Sequence, residues 1–327
     1  MSLVGDEPLL EGVGASFSCQ PFRHAAPHKT IAVRYSTNVM ARRDRLDHIT
    51  AGVPRDSSPS LVIPLVMPVS VPRWRALNAL MLLVVVALNG AAATGAMSGD
   101  SIGVLANRFP SLFLPANYVF GIWSLIYAGL VACMLLQLVP SEAGRTAVER
   151  LGPWWVACGV LNVAWITLFS FSLFAVALVV MLLFLWVLVH VGERLRGGAV
   201  SPMLRALAVW PHDLYLAWIS VAVIANSFQF AHVVGFAGFG IAESTWAVAM
   251  MGVATLLGVV MAYGRGNWLF PFVVAWALRG IGARYTAVPD IVIATTWLVP
   301  AGIVLGMMAW GAGVRRGRLG PLPPQTR

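Results

Sequence analysis

The sequence predicts an all-α, polytopic membrane helix bundle, and three observations predict it. Hydrophobic residues make up 59% of the 327-residue chain and charged residues only 11%, against about 25% charged in an ordinary soluble domain. The apolar residues fall in blocks of roughly 20, the length a helix rising about 1.5 Å per residue needs to cross about 30 Å of hydrocarbon. The blocks are continuous and rich in Leu, Val and Ala, without period-2 alternation. Helix bundles and closed barrels are the architectures that satisfy every backbone hydrogen bond in lipid, and this pattern selects the bundle. An ordinary soluble enzyme is excluded.

Residues 1–70 differ in kind from the rest. His24, His28 and His48, the run Arg42-Arg43-Asp44-Arg45 and Asp56-Ser57-Ser58-Pro59-Ser60 form a polar, aperiodic stretch whose composition predicts a disordered tail. A start codon set too far upstream explains it equally well. Leu61 to Val71 is apolar but broken by Pro64 and Pro68 and is too short to span, and a cleavable signal peptide is not expected so far from Met1.

Eight spans follow: Ala76–Met97, Ala116–Leu138, Trp154–Phe169, Leu173–Val191, Leu214–His232, Thr245–Tyr263, Trp268–Leu278 and Ile291–Trp310. Only Ser170-Phe171-Ser172 separates the third from the fourth, which predicts a tight helical hairpin. The seventh is short enough to be a half-span or a re-entrant turn. Twelve arginines flank the spans on one side, Arg73 and Arg75 just ahead of the first, Arg145 and Arg150 after the second, Arg194, Arg196 and Arg205 after the fourth, Arg265 after the sixth and Arg315, Arg316, Arg318 and Arg327 at the end, whereas only Arg108, Arg279 and Arg284 fall on the other side. The positive-inside rule then places both termini in the cytoplasm, with the bacterial cytoplasmic membrane as the expected location. On this reading the net charge of +9 orients the chain in a bilayer. Nucleic acid is not an expected partner, since no basic helix face exists.

Asp213, Glu243, Arg265, Arg279 and Asp290 all fall at or near span ends. Ion-coupled transporters usually need a membrane-embedded ionisable group, so that class is disfavoured. His190 and His232 also sit at span ends, where a structural role is commoner than a proton relay. Cys133 and Cys158 lie in apolar blocks and Cys19 in the tail, with no metal-ligand spacing, so neither a disulfide framework nor a metal site is expected. GxSxG, P-loop and HExxH motifs are absent.

The chain contains 13 tryptophans. Trp154, Trp155, Trp210, Trp268 and Trp310 suit the interfacial belt that membrane Trp usually forms. Trp123, Trp165 and Trp218 lie deeper and have companions at helical spacing: Phe120, Trp123 and Tyr127; Asn162, Trp165 and Phe169; Tyr215, Trp218, Ala222 and Asn226. At about 100° per residue each set occupies one stripe of its helix. Indole, phenol and amide groups in hydrocarbon must face protein or a cavity. Two readings stay open, a polar glue between helices and an aromatic-lined pocket for a flat, greasy molecule.

The stretch from Pro110 through Pro115, Tyr118, Phe120 and Trp123 to Tyr127, together with Leu161-Asn162-Val-Ala-Trp165 and Leu214-Tyr215-Leu-Ala-Trp218-Ile-Ser-Val-Ala222-Val-Ile-Ala-Asn226, resembles the tryptophan-rich sensory protein family, also called TspO, translocator protein or peripheral-type benzodiazepine receptor. The resemblance covers residues 76–232. It implies a five-helix core, extended here by about three further transmembrane helices over 245–312, and an interior pocket for porphyrins, synthetic aromatic ligands and, in some members, sterols. Carried over by motif, the lining is Tyr118, Phe120, Trp123, Asn162, Trp165, Tyr215, Trp218, Ala222 and Asn226. Tyr127 completes the second-span stripe, and Pro115 shapes the lid because it removes a backbone donor and fixes φ.

The resemblance also implies a binding or sensory role with no required cofactor beyond a bound porphyrin or haem-like tetrapyrrole. The bilayer and a hydrophobic small molecule are the expected partners, and a homodimer the expected assembly. A transporter of small hydrophobic molecules that uses all eight helices is the alternative. The chain departs from the family pattern at Gly103, where a loop Trp tied to porphyrin breakdown in some members would stand, and at Ala116 and Leu214, where prolines would stand. Catalytic turnover is therefore not expected. A sterol-type Tyr followed by Lys or Arg is also missing after Asn226. Gly90, Gly121 and Gly159 are candidates for close helix packing.

Overall fold

The computed structural model describes residues 71–316, so the expectations for 1–70 and for the end of the basic tail lie outside the described residues. Every regular element among them is helical. In chain order these are α1 (Val71–Thr94), α2 (Ile102–Arg108), a 3-10 turn at Asn117–Gly121 that leads into α3 (Ile122–Leu138), α4 (Glu142–Ser170) and α5 (Phe174–Arg196). Then come α6 (Pro202–Leu204), a π-type turn at Arg205–Val209, α7 (Trp210–Val233), α8 (Glu243–Arg265), α9 (Leu269–Arg284) and α10 (Pro289–Arg315). Seven helical segments are long and apolar enough to cross a membrane, and the chain is a polytopic helical membrane bundle.

The eighth predicted crossing, α9, has only 16 residues, or roughly 24 Å at 1.5 Å per residue. It runs the length of the bundle nonetheless. At its start the Asn267 Oδ1 accepts from the Phe270 amide at 3.0 Å and the Asn267 Nδ2 donates to the Asp213 carbonyl at 3.2 Å. At its finish the Gly280 carbonyl accepts from the Ala116 amide at 3.1 Å. It therefore connects opposite ends of the bundle, and it reaches Arg284, six residues beyond the Leu278 expected from hydropathy.

Two helices begin earlier than the apolar blocks suggested. The segment Glu142–Leu151 is amphipathic and joins α4 across a break at Gly152, whose φ of 42° and ψ of −130° precede Pro153. Proline cannot donate to the preceding turn, and only glycine adopts such a φ without strain. Likewise α6, the π-type turn and α7 form one continuous stretch, Pro202–Val233. Asp213, placed at a span end by sequence, thus lies well inside the helical stretch, buried and paired with Arg196, the last residue of α5. The Ser170–Ser172 hairpin is as expected, with the Ser172 amide donating to the Phe169 carbonyl at 2.9 Å. The short α2, capped by the Ser101 Oγ, which accepts from the Val104 amide at 3.3 Å, falls where sequence indicated only a loop.

One apolar cluster unites the motif-bearing helices with the C-terminal ones: Trp165, Trp218 and Phe184 share it with Met251, Phe270, Val273, Ile281 and Ile291. Small residues permit the close approaches that drive packing in lipid. A Cβ on Gly159 would strike Met81, whereas Gly90 and Gly121 face open space within 4 Å. Those two glycines therefore do not serve the close packing expected of them.

The bundle's two ends differ in charge. Arg265 pairs with Glu193 at 2.8 Å, Arg194 donates to the Arg150 carbonyl at 2.8 Å, and Arg316 donates to the Tyr263 hydroxyl at 2.8 Å. These contacts put the ends of α5, α8 and α10 and the first part of α4 together. Trp155 on α4 also donates to the Asn78 carbonyl at 3.0 Å, which brings the start of α1 to the same region. At the opposite end lies the loop Phe109–Ala116.

Candidate functional site

Towards the loop end the bundle encloses a cavity of about 520 Å³, within the 300–1,000 Å³ range of small-molecule sites. Eight of the eleven residues singled out by sequence line it: Pro115, Phe120, Trp123, Tyr127, Trp165, Trp218, Ala222 and Asn226. Helical spacing explains the convergence. Trp165 on α4 and Trp218, Ala222 and Asn226 on α7 lie on stripes turned towards Trp123 and Tyr127 on α3.

Trp123 is the centre of the aromatic wall. It stacks between Tyr127, at a centroid distance of 5.6 Å and interplanar angle of 20°, and Trp165, at 5.9 Å and 21°. Trp218 meets it edge-on at 6.2 Å and 86°, and also meets Phe120 at 6.2 Å and 90°. Offset-stacked and edge-on pairs of this kind contribute about 0.5–1.5 kcal/mol each beyond area burial. They hold a rigid, flat-sided wall in place.

The polar groups in the wall are few and mostly occupied. The Trp165 Nε1 donates to the Asn226 Oδ1 at 3.4 Å, and the Asn226 Nδ2 donates to the Ala222 carbonyl at 2.9 Å. The Gln229 Nε2 donates to the Leu105 carbonyl at 3.4 Å. The Trp218 Nε1 differs: it is buried and has no hydrogen-bond acceptor, although its ring lines the cavity. An unsatisfied buried donor costs about 1–3 kcal/mol. Asp, Glu, Lys, Arg and His are all absent from the lining.

The other three residues stand elsewhere. Asn162 is fully buried behind the wall, where its Oδ1 accepts from the Asn89 Nδ2 at 2.7 Å and its Nδ2 donates to the Tyr215 hydroxyl at 2.8 Å. Tyr215 lines a separate, small space of about 40 Å³ beside Cys133, Cys158 and His212. Asn162 and Tyr215 thus tie α1, α4 and α7 together rather than facing the larger cavity. Tyr118 is half exposed and meets Trp276 of α9 edge-on at 5.4 Å. It shares the 3-10 turn Asn117–Gly121 with Phe120, but of the two only Phe120 lines the cavity.

Several cavity residues escaped the sequence reading. The first helix supplies Val86, Asn89, Gly90 and Ala93, and α2 supplies Ile102, Gly103 and Ala106. Asn89, an amide deep inside the apolar block, was the signal that could have disclosed α1's part. Gly103, noted as a departure from the family pattern, lines the cavity without filling it.

The cavity's end is covered by Ser111, Leu114, Pro115 and Asn117, and partners from the C-terminal helices hold this segment down. The Tyr285 hydroxyl donates to the Ser111 carbonyl at 2.6 Å, the Glu243 Oε1 accepts from the Leu112 amide at 2.7 Å, and the Trp276 Nε1 donates to the Val119 carbonyl at 3.2 Å. Arg284 reaches the Pro115 carbonyl at 3.5 Å. Burial raises the Tyr285 phenol above its usual pKa, with Arg284 opposing the shift, so the hydroxyl keeps its proton over the ordinary pH range. Among the described residues no group of His, Cys, Asp or Glu is arranged to hold a metal ion.

No curated protein and no solved structure matches the chain. The family model for TSPO-like proteins matches residues 75–310, a stretch that includes the three motifs, the cavity they line and the C-terminal helices that hold its loop. The chain belongs to the TSPO-like protein family.

Proposed function

We propose that this protein binds a flat, hydrophobic molecule such as a porphyrin in the aromatic cavity, in a sensory or trafficking role in the membrane. The observation that carries the reading is the stacked set Tyr127, Trp123 and Trp165 in the wall of the cavity. A planar ring system complements the flat-sided wall that these rings form. Lipid is about as apolar as the cavity wall, so transfer from bilayer to protein gains little from burial alone. Selectivity then rests on stacking and on the few polar groups of the lining, the Tyr127 and Ser124 hydroxyls among them. A charged substituent fits only at the cavity's edge, because the lining offers it no partner.

Turnover of the ligand is not part of this proposal, because Gly103 supplies no side chain where the family's loop Trp stands. The basic end of the bundle suits a cytoplasmic orientation of both termini. The test is a titration of the purified protein with protoporphyrin IX, followed by intrinsic Trp fluorescence. Saturable quenching that weakens in Trp165→Leu and Trp218→Leu supports the reading. Quenching that never saturates, or that both variants leave unchanged, refutes it.

A further inference from the structure

We propose that the ligand is a membrane-dissolved molecule that passes sideways between α1 and α3, while α8 and α9 keep the loop end of the cavity closed. The proposal rests on the binding reading above and adds the source of the ligand and its route.

The first observation is where the cavity wall is open. Trp165, Ile166 and Phe169 of α4 and Trp218 of α7 are buried, whereas Gly90 of α1, Ser124 of α3 and Asn117 of the turn that leads into α3 are exposed although they line the same space. The uncovered rim therefore lies between α1 and α3. A Cβ on Gly90 would meet nothing within 4 Å, so no neighbouring chain segment plugs the gap.

The second is depth. The rim on α1 runs from Ala93, beside the helix end at Thr94, back to Val86. At 1.5 Å per residue that reaches about 12 Å inward, towards the middle of a hydrocarbon layer about 30 Å thick. The rim opens towards lipid tails.

The third is the closed end. Ser111, Leu112 and Val119 are hydrogen-bonded to Tyr285, Glu243 and Trp276, and the Ala116 amide donates to the Gly280 carbonyl at 3.1 Å. A Cβ on Gly280 would strike Val119, so α9 lies flush against the loop. Opening that end would break these contacts together, whereas the α1–α3 gap is already open.

The experiment uses the full chain in lipid nanodiscs and follows the emission of protoporphyrin IX after mixing with porphyrin-loaded vesicles and, separately, after chase with unlabelled acceptor vesicles. Gly90→Phe and Ser124→Phe cover the gap from opposite sides, and Leu135→Phe, on the exposed face of α3 and outside the cavity lining, is the control. The proposal expects association and dissociation to slow together, tenfold or more, in both gap variants and to stay within twofold in the control. A merely weakened site would instead speed dissociation. Exchange at the wild-type rate in both gap variants overturns the lateral route while leaving the binding reading intact. Absence of saturable binding to the wild-type protein removes both.

Discussion

The Tyr285 hydroxyl, on the connection after α9, donates a 2.6 Å hydrogen bond to the carbonyl of Ser111, 174 residues earlier in the chain. It joins the C-terminal helices to the segment that covers the cavity. Tyr285→Phe removes the donor and leaves the carbonyl of the buried Ser111 unsatisfied, at a cost of about 1–3 kcal/mol. Hydrogen exchange is expected to accelerate at the Leu112 to Val119 amides and to stay unchanged in α5. Equal protection of those amides in both proteins would contradict the anchoring role.

Gly280→Val tests the same contact by steric means. A side chain there collides with Val119, and overpacking of this kind costs about 1–3 kcal/mol. The variant is expected to melt at lower temperature than wild type, and Val119→Ala is expected to restore part of the loss because it vacates the collision.

Trp218→Phe keeps the edge-on ring contact but deletes the unsatisfied N–H. Thermal stability is expected to hold or rise, since an orphaned buried donor disappears. Affinity for a porphyrin is expected to stay within about threefold, since the N–H is closed off from the cavity and the edge-on ring contact remains. A fall in stability would contradict this and show that the larger indole ring is needed for packing.

Asn162→Leu breaks a buried amide and phenol network that links α1, α4 and α7 through Asn89 and Tyr215. Interhelical hydrogen bonds in membranes average about 0.6 kcal/mol each, so a loss of about 1–2 kcal/mol is expected in unfolding by SDS. Because Asn162 lies behind the wall, the effect on stability is expected to exceed the effect on ligand affinity.

Asp213→Asn leaves Arg196 without its carboxylate partner. Asp213 is buried, but the Arg196 side chain is 25% exposed, so water moderates the penalty. A loss of about 1–3 kcal/mol is expected, with Arg196→Met combined with Asp213→Asn recovering part of it. Single and double variants of equal stability would show that the pair contributes nothing.

Where a residue's position depends on helical periodicity within an apolar block, the sequence discloses it. Trp123, Trp165, Trp218, Ala222 and Asn226 were legible because a polar or aromatic stripe in lipid must turn inward and a period of 3.6 fixes which neighbours share it. Tyr118 lay on no stripe and came only from the motif resemblance, and it stands outside the cavity against Trp276. Asn162 and Tyr215 lie on the stripes yet satisfy each other, and stripe membership does not tell a hydrogen-bonded network from a cavity wall. The anchoring of the loop was not legible at all, since Tyr285, Trp276 and Glu243 bond backbone groups that carry no sequence signal. The full length of α9 escaped for a related reason. Its last turns contain Arg279 and Arg284, which end a hydropathy block but do not end a helix.

The proposed binding site is the cavity between α1, α3, α4 and α7. Equilibrium binding of protoporphyrin IX to wild type and to Ala222→Trp, both in nanodiscs, tests it most directly, because the larger ring fills the space that Ala222 borders. One saturable site per chain is expected in the wild type, with at least a tenfold loss of affinity in a variant that still folds. Equal affinity in the two proteins would contradict it.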